Sequence, residues 1–122
     1  MEGIARWFML AAVGSALGGM VWGIQMSASQ DHLLSPAHGH LNLLGWVSFS
    51  IFALYYHLVP EAAQGWLARV RLALAVAGLV ILVPGIVFAI QQSGEGMAKL
   101  GSVLSLLSML TFLAVVVTGR RA

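Results

Sequence analysis

Four histidines are the side chains of this sequence best suited to chemistry, and three of them lie close together. His32, His38 and His40 fall within one short stretch, whereas His57 lies further along the chain. Neutral imidazole is a common ligand of haem iron and the commonest protein ligand of metal ions. Haem or metal binding is therefore the first chemistry that these residues suggest.

His38 and His40 cannot chelate one metal ion together from a regular helix. Successive residues of an α-helix are rotated by about 100°, so these two side chains project about 160° apart. The side of His38 carries small and aromatic residues: Asn42, Gly45, Phe49, Phe52 and Tyr56. The side of His40 carries aliphatic residues: Leu43, Leu44, Val47, Ile51 and Leu58. Spacing alone leaves three interpretations open: an interfacial pair without a cofactor, a haem site, and a site for copper or another metal.

The composition places these histidines in a membrane protein. Of the 122 residues, 60% are hydrophobic and 8% are charged, and the mean hydropathy is +0.93. Soluble domains have roughly 45–50% apolar and 25% charged residues. Four apolar stretches, at about 4–26, 38–59, 66–90 and 97–118, are each long enough to cross a bilayer, which takes roughly 20 residues. We therefore predict an all-α membrane protein, with residues 1–122 forming one domain of four transmembrane helices.

The charged residues predict the orientation of these helices. The arginines lie at the N-terminus, in the second loop and at the C-terminus: Arg6, Arg69, Arg71, Arg120 and Arg121. The first and third loops carry a single lysine, Lys99, and no arginine. The positive-inside rule therefore predicts that both termini are cytoplasmic. The loops are short, so successive helices are expected to be antiparallel neighbours in an up-down-up-down arrangement. His38 and His40 then lie near the outer end of the second helix, and His57 lies near its inner end.

The remaining residues argue against several classes of function. The four carboxylates lie at helix ends or in loops, where they cannot form a proton relay across the membrane: Glu2, Asp31, Glu61 and Glu95. The sequence has no phosphate-binding glycine loop and no nucleophile beside a base. Cysteine is absent, which excludes disulfides, thiolate clusters and haem attached through cysteine. The net charge is +2, but the basic residues form no patch, so nucleic acid is not an expected partner.

Small residues predict close helix packing. The first apolar stretch carries glycines at small-xxx-small spacing: Gly14, Gly18, Gly19 and Gly23. Such a stripe lets another helix approach closely, either in the same chain or in a second one. Ser102, Ser105 and Ser108 form a similar stripe in the fourth stretch, which we also interpret as a packing surface.

Two runs in the second helix resemble a known family: Ala37-His38-Gly39-His40-Leu41-Asn42-Leu43-Leu44-Gly45-Trp46 and Tyr55-Tyr56-His57-Leu58-Val59-Pro60. They are similar to helix two of the haem–copper oxidase superfamily, especially of nitric oxide reductase catalytic subunits. In that helix a His-x-Asn-Leu-Leu run supplies an axial ligand to low-spin haem. The resemblance implies that His40 is such a ligand, with His38 as a second ligand and with Asn42 and Trp46 in the same site. In that family the helix ends with a Tyr-Tyr-Leu-Val-Pro-like run. The inserted His57 departs from that run.

The family's catalytic subunit has twelve helices in three arcs of four, and this chain resembles one arc. By this analogy a homotrimer rebuilds the twelve-helix shape, and His40 of one protomer faces His38 or His40 of the next across haem b. The resemblance implies electron transfer or binding of a diatomic gas in a bacterial-type inner membrane, with a redox partner. One alternative is an enzyme, a minimal oxidase or nitric oxide reductase with copper or iron held by copies of His38. Copper is the less favoured cofactor. The other alternative is a cofactor-free assembly or interaction protein.

Overall fold

A computed structural model describes residues 1–118, and nearly all of them are helical. Within this range four long helices follow one another: α1 (Gly3–Ser29), α2 (Ser35–Leu58), α3 (Trp66–Ile90) and α4 (Gly96–Thr118). Each helix is long and apolar enough to cross a membrane. The four predicted helices are confirmed, and α2 begins slightly earlier than predicted because Pro36 is accommodated in its first turn.

Proline and glycine set the limits of the helices. α2 ends at Leu58, and Pro60 opens a short 3-10 turn over Pro60–Ala63. Gly65 precedes α3 with a φ of 88°, and Gly94 precedes α4 with a φ of 128°. Glycine adopts these positive angles without the steric cost that a Cβ adds. The chain can therefore reverse direction within the short connections 59–65 and 91–95, which place successive helices side by side.

The helices pack in antiparallel pairs through small residues. In the α3–α4 pair, a Cβ on Gly101 would lie 2.5 Å from Leu82 Cα, and one on Gly85 would lie 2.5 Å from the backbone nitrogen of Ala98. In the α1–α2 pair, Gly45 lies directly against the side chain of Ser15. Small residues at these positions let the helix backbones approach closely, as is common in membrane proteins.

The helix α2 is interrupted by a π-helical segment. Leu41–Val47 is π-helical, between regular α-helical parts at Ser35–His40 and Ser48–Leu58. The backbone nitrogen of Ser48 bonds to the carbonyl of Leu43, and the Ser48 hydroxyl donates to the same oxygen at 3.0 Å. Such segments often lie at functional sites. The sequence analysis assumed a regular helix here, and that assumption is wrong, although the predicted inward side is retained because Phe49, Phe52 and Tyr56 are buried.

One of the residues used to predict the membrane orientation is buried in the fold. Arg69 and Arg71, which are predicted to lie in the second loop, both lie inside α3, and Arg71 is fully buried. Arg6 and Arg69 are exposed, as expected for residues that mark the cytoplasmic side. Arg120 and Arg121 lie outside the described residues. The membrane orientation therefore stays a prediction that depends mainly on exposed arginines.

Candidate functional site

His38 points into the α1–α2 pair. Its Nε2 lies 2.9 Å from the carbonyl oxygen of Gly19. A carbonyl only accepts hydrogen bonds, so Nε2 carries the proton and donates it to Gly19. The ring also meets Trp22 edge to face, with 6.0 Å between the centroids. His38 therefore links α2 directly to the backbone of α1.

Asn42 lies one turn after His38 and faces the same glycine. Its Nδ2 donates to the backbone carbonyl of His38 at 2.9 Å. A Cβ on Gly19 would lie 2.5 Å from Asn42 Oδ1, so the amide occupies the space that a side chain on Gly19 would need. Gly19, His38 and Asn42 thus form one polar contact between α1 and α2. The glycine stripe of α1 packs, at this position, against its own chain.

His40 lies on the other side of α2 and is exposed. Its Nδ1 lies 2.7 Å from the carbonyl oxygen of Pro36, one turn earlier. Nδ1 therefore donates the proton, and Nε2 keeps its lone pair. A backbone carbonyl bound to one ring nitrogen is the usual way in which a metal-binding histidine is held in the correct tautomer and orientation. His40 Nε2 is thus available to a ligand from outside the four-helix unit.

The surroundings of His40 are apolar and open. Leu43 is 58% exposed and Val47 is 43% exposed. Ile51 continues the same side of α2, and it is also exposed. We call these residues the His40 face: His40, Leu43, Val47 and Ile51. This face can cover one side of a flat apolar group, and the other side would need a second surface.

The other predicted site residues lie apart from this arrangement. Trp46 is on the same π-helical segment and is 41% exposed. His32 is exposed in the loop before α2, and His57 is exposed at the far end of α2. Within residues 1–118, no group of three or more His, Asp or Glu side chains is placed to hold a metal ion. The opposed directions of His38 and His40 agree with the helical geometry expected from their spacing.

A second polar site, which the sequence did not predict, lies at Arg71. The guanidinium carbon of Arg71 is surrounded by aromatic rings from three helices. It lies 4.3 Å from the ring centre of Phe52, 4.7 Å from Phe112, 5.6 Å from Phe8 and 5.8 Å from Tyr56. Cation–π contacts of this kind are worth about 2 kcal/mol or more when the cation is desolvated. We call these four rings the aromatic cage.

The hydrogen bonds of Arg71 are incomplete. Nη1 donates to the backbone carbonyl of Ser108 at 3.2 Å. Nε and Nη2 are buried without a hydrogen-bond partner in the described part of the chain, as are the hydroxyls of Tyr56 and Ser108. Arg71 lies several residues inside a helix that the sequence predicts correctly. That position was the one sequence signal that Arg71 could be buried. The cage itself depends on the tertiary arrangement, so the sequence could not reveal it.

Comparisons of the chain with protein-family models, with curated proteins and with solved structures found no match.

Proposed function

We propose that this chain is a membrane protein that binds b-type haem through Nε2 of His40, between copies of the chain, for electron transfer or for binding a diatomic gas. The geometry of His40 is the observation that supports this proposal. Its Nδ1 is fixed by the carbonyl of Pro36, and its Nε2 faces outward from an exposed position. A histidine that served only to pack α2 against α1 would point inward, as His38 does.

The donor set of this chain suits haem better than a bound metal ion. Haem iron takes one or two axial ligands from the protein and otherwise needs apolar surroundings. The His40 face offers one imidazole flanked by Leu43, Val47 and Ile51, which are aliphatic. A structural or catalytic metal ion needs about three or four protein ligands close together, and residues 1–118 present no such group. Haem is therefore the cofactor that we propose, with copper as the weaker candidate.

The residues around His40 would have separate roles in binding haem. His40 would bind the iron, and the Pro36 carbonyl would hold the proton on Nδ1. Leu43 and Val47 would exclude water from the bound group. The contact of Gly19, His38 and Asn42 would fix α2 against α1 and so fix the direction of His40. When bound, haem would supply an iron that accepts a single electron or a gas molecule.

The open His40 face favours assembly between copies. One chain covers only one side of a flat group, so a second copy would supply the second apolar wall. If the second copy also supplied a histidine, two histidines would hold the iron, which would suit it to electron transfer with a redox partner. If it supplied no ligand, an open position would bind nitric oxide or oxygen. The resemblance to one arc of a twelve-helix subunit favours a homotrimer in a bacterial-type inner membrane, with both termini cytoplasmic.

Absorption spectroscopy of the detergent-purified protein, oxidised and then reduced with dithionite, tests this proposal. The wild-type protein, produced with haem available, is expected to show the sharp reduced bands of b-type haem. His40→Ala is expected to lose these bands. His57→Ala is the matched control, since it removes an exposed histidine from the opposite end of the same helix.

Three outcomes would contradict the proposal. A colourless wild-type protein would exclude haem binding and favour a membrane assembly or interaction protein. Haem retained in His40→Ala would show that another residue is the ligand. His38→Ala would then be the next variant to test. Equal loss in His57→Ala and His40→Ala would show that the effect is not specific to this site.

A further inference from the structure

A small cavity lies between α2, α3 and α4. It offers about 20 Å³ to the centre of a water-sized sphere. The apolar side chains that line it come from all three helices: Leu44, Phe49, Phe52, Ala75, Leu79 and Met109. Phe49, Phe52 and Leu79 belong to the buried core, so the cavity reaches into the interior of the four-helix unit.

Little of the cavity surface is polar, although three serines take part in its lining. The hydroxyl of Ser48 already donates to the carbonyl of Leu43 at 3.0 Å. The hydroxyl of Ser105 packs against Gly78, where a Cβ would lie 2.9 Å from it. Ser108 has a buried hydroxyl without a partner in the described residues. A buried water molecule usually makes about three hydrogen bonds, so these groups hold water poorly and the cavity favours an apolar occupant.

The size of the cavity suits a molecule slightly larger than water. A space of roughly 10–15 Å³ by the same measure holds one water molecule, and this cavity offers about 20 Å³. Two bonded atoms, as in nitric oxide or dioxygen, need only a little more room than one water molecule. Apolar cavities in proteins stay dry and take up apolar guests such as xenon. The cavity is far too small for a porphyrin, so it is separate from the proposed haem site.

Small uncharged gases can reach this cavity through the membrane. They dissolve readily in hydrocarbon, because there they do not disturb the cohesion of water. Met109 lines the cavity and is 45% exposed, so its side chain borders both the cavity and the surface that faces lipid. Methionine side chains are flexible, and movement of Met109 can therefore admit a gas molecule from the lipid.

We propose that the cavity between α2, α3 and α4 binds a small uncharged gas, of the size of nitric oxide or dioxygen, from the membrane. Binding depends on dispersion contacts with the apolar lining and requires no charge and no covalent bond. Leu44 follows His40 by four residues, which is about one helical turn, so the gas is held about one turn from the proposed haem ligand. A role in delivering gas to haem rests on the proposed function, whereas gas binding itself does not.

Xenon is the probe for this site, because it is apolar and its ¹²⁹Xe NMR frequency depends on its surroundings. The test uses the full chain, purified in detergent without haem and held under xenon, with empty micelles as the reference. A frequency shift that grows with protein concentration is expected for the wild-type protein. Carbon monoxide, a diatomic gas without unpaired electrons, is expected to compete with xenon and to reverse the shift.

Two variants change the volume of the cavity in opposite directions. Ala75→Leu places a larger side chain at a lining position and is expected to abolish the protein-dependent shift. Ala73→Leu is its matched control, because it makes the same change at an exposed position on the same helix, and it is expected to retain the shift. Leu79→Ala enlarges the cavity and is expected to raise the affinity for xenon.

Leu79→Ala and the competition with carbon monoxide still test the site if Ala75→Leu does not fold. An equal shift in Ala75→Leu, Ala73→Leu and the wild-type protein would place xenon elsewhere and overturn the proposal. The absence of a protein-dependent shift in the wild-type protein, or a shift that carbon monoxide leaves unchanged, would also overturn it. Because the protein contains no haem in this experiment, these outcomes are separate from those of the absorption measurement.

Discussion

The imidazole of His38 donates a hydrogen bond of 2.9 Å to the carbonyl of Gly19, which joins α2 to the backbone of α1. His40 follows closely in sequence, but among the described residues its ring hydrogen-bonds only to the carbonyl of Pro36, in its own helix. The two histidines therefore differ in what they stabilise. His38 contributes to the packing of the helix pair, and His40 leaves a ring nitrogen free at the surface.

This difference predicts that two alanine substitutions lower stability by unequal amounts. His38→Ala is expected to lower the free energy of unfolding by about 1–2 kcal/mol, because it removes the hydrogen bond to α1. His40→Ala is expected to change it by no more than about 0.5 kcal/mol, as is usual for an exposed residue. Reversible unfolding in mixed micelles, on protein prepared without haem, measures both. An equal loss in the two variants would contradict the assignment.

The close approach of α3 and α4 predicts the cost of adding a methyl group. Gly101→Ala would place its Cβ 2.5 Å from Leu82 Cα, so the two helices must separate. We expect a destabilisation of about 1–3 kcal/mol, as for other overpacked sites. Gly14→Ala is the control, since a Cβ there meets nothing within 4 Å, and it is expected to leave stability unchanged or slightly raised. The same unfolding assay compares them, and similar losses in both would contradict the observed packing.

The aromatic cage predicts that the volume of Arg71 matters more to stability than its charge. Arg71→Ala leaves a cavity between the rings, and we expect a loss of about 2–5 kcal/mol. Arg71→Met fills most of this volume without a charge, and such replacements of buried ionic groups are often neutral or stabilising. Thermal unfolding of the two variants separates the effect of volume from that of charge. A Met variant as unstable as the Ala variant would show that the cation–π contacts dominate.

The orientation of the helices can be tested because the chain has no native cysteine. Single cysteines at Asp31 and Ser93 are expected to react in intact cells with a maleimide that does not cross membranes. A cysteine at Gln64 is expected to react only after the cells are opened, because the positive-inside rule predicts that the end carrying the exposed Arg6 and Arg69 is cytoplasmic. The reverse pattern would invert the predicted topology and place His40 at the inner surface.

The sequence was sufficient to predict the helices and the directions of the two histidines. A helix that crosses a bilayer needs a long apolar stretch, and four such stretches are visible without any tertiary information. The opposed directions of His38 and His40 follow from the rotation per residue alone. The proposed role of His40 as a haem ligand depends on its geometry and on the family resemblance, and the spectroscopic experiment tests it.

Two features could not be predicted, for different physical reasons. The π-helical segment Leu41–Val47 keeps the same buried side as a regular helix would, so the apolar pattern does not reveal it. Arg71 lies near the start of α3, where an arginine usually faces water and marks the cytoplasmic side. Its burial depends on rings contributed by α1, α2 and α4, which come together only in the folded chain.

The exposure of His40 has a consequence for how the protein is made. Within residues 1–118, His40 is exposed and its ring hydrogen-bonds only to the carbonyl of Pro36, so no buried contact of this part of the chain depends on it. Insertion into the membrane and folding of each newly synthesised chain can therefore be completed before His40 acquires any ligand. If the proposed haem binds to His40, the cell can regulate synthesis of the chain and supply of haem separately.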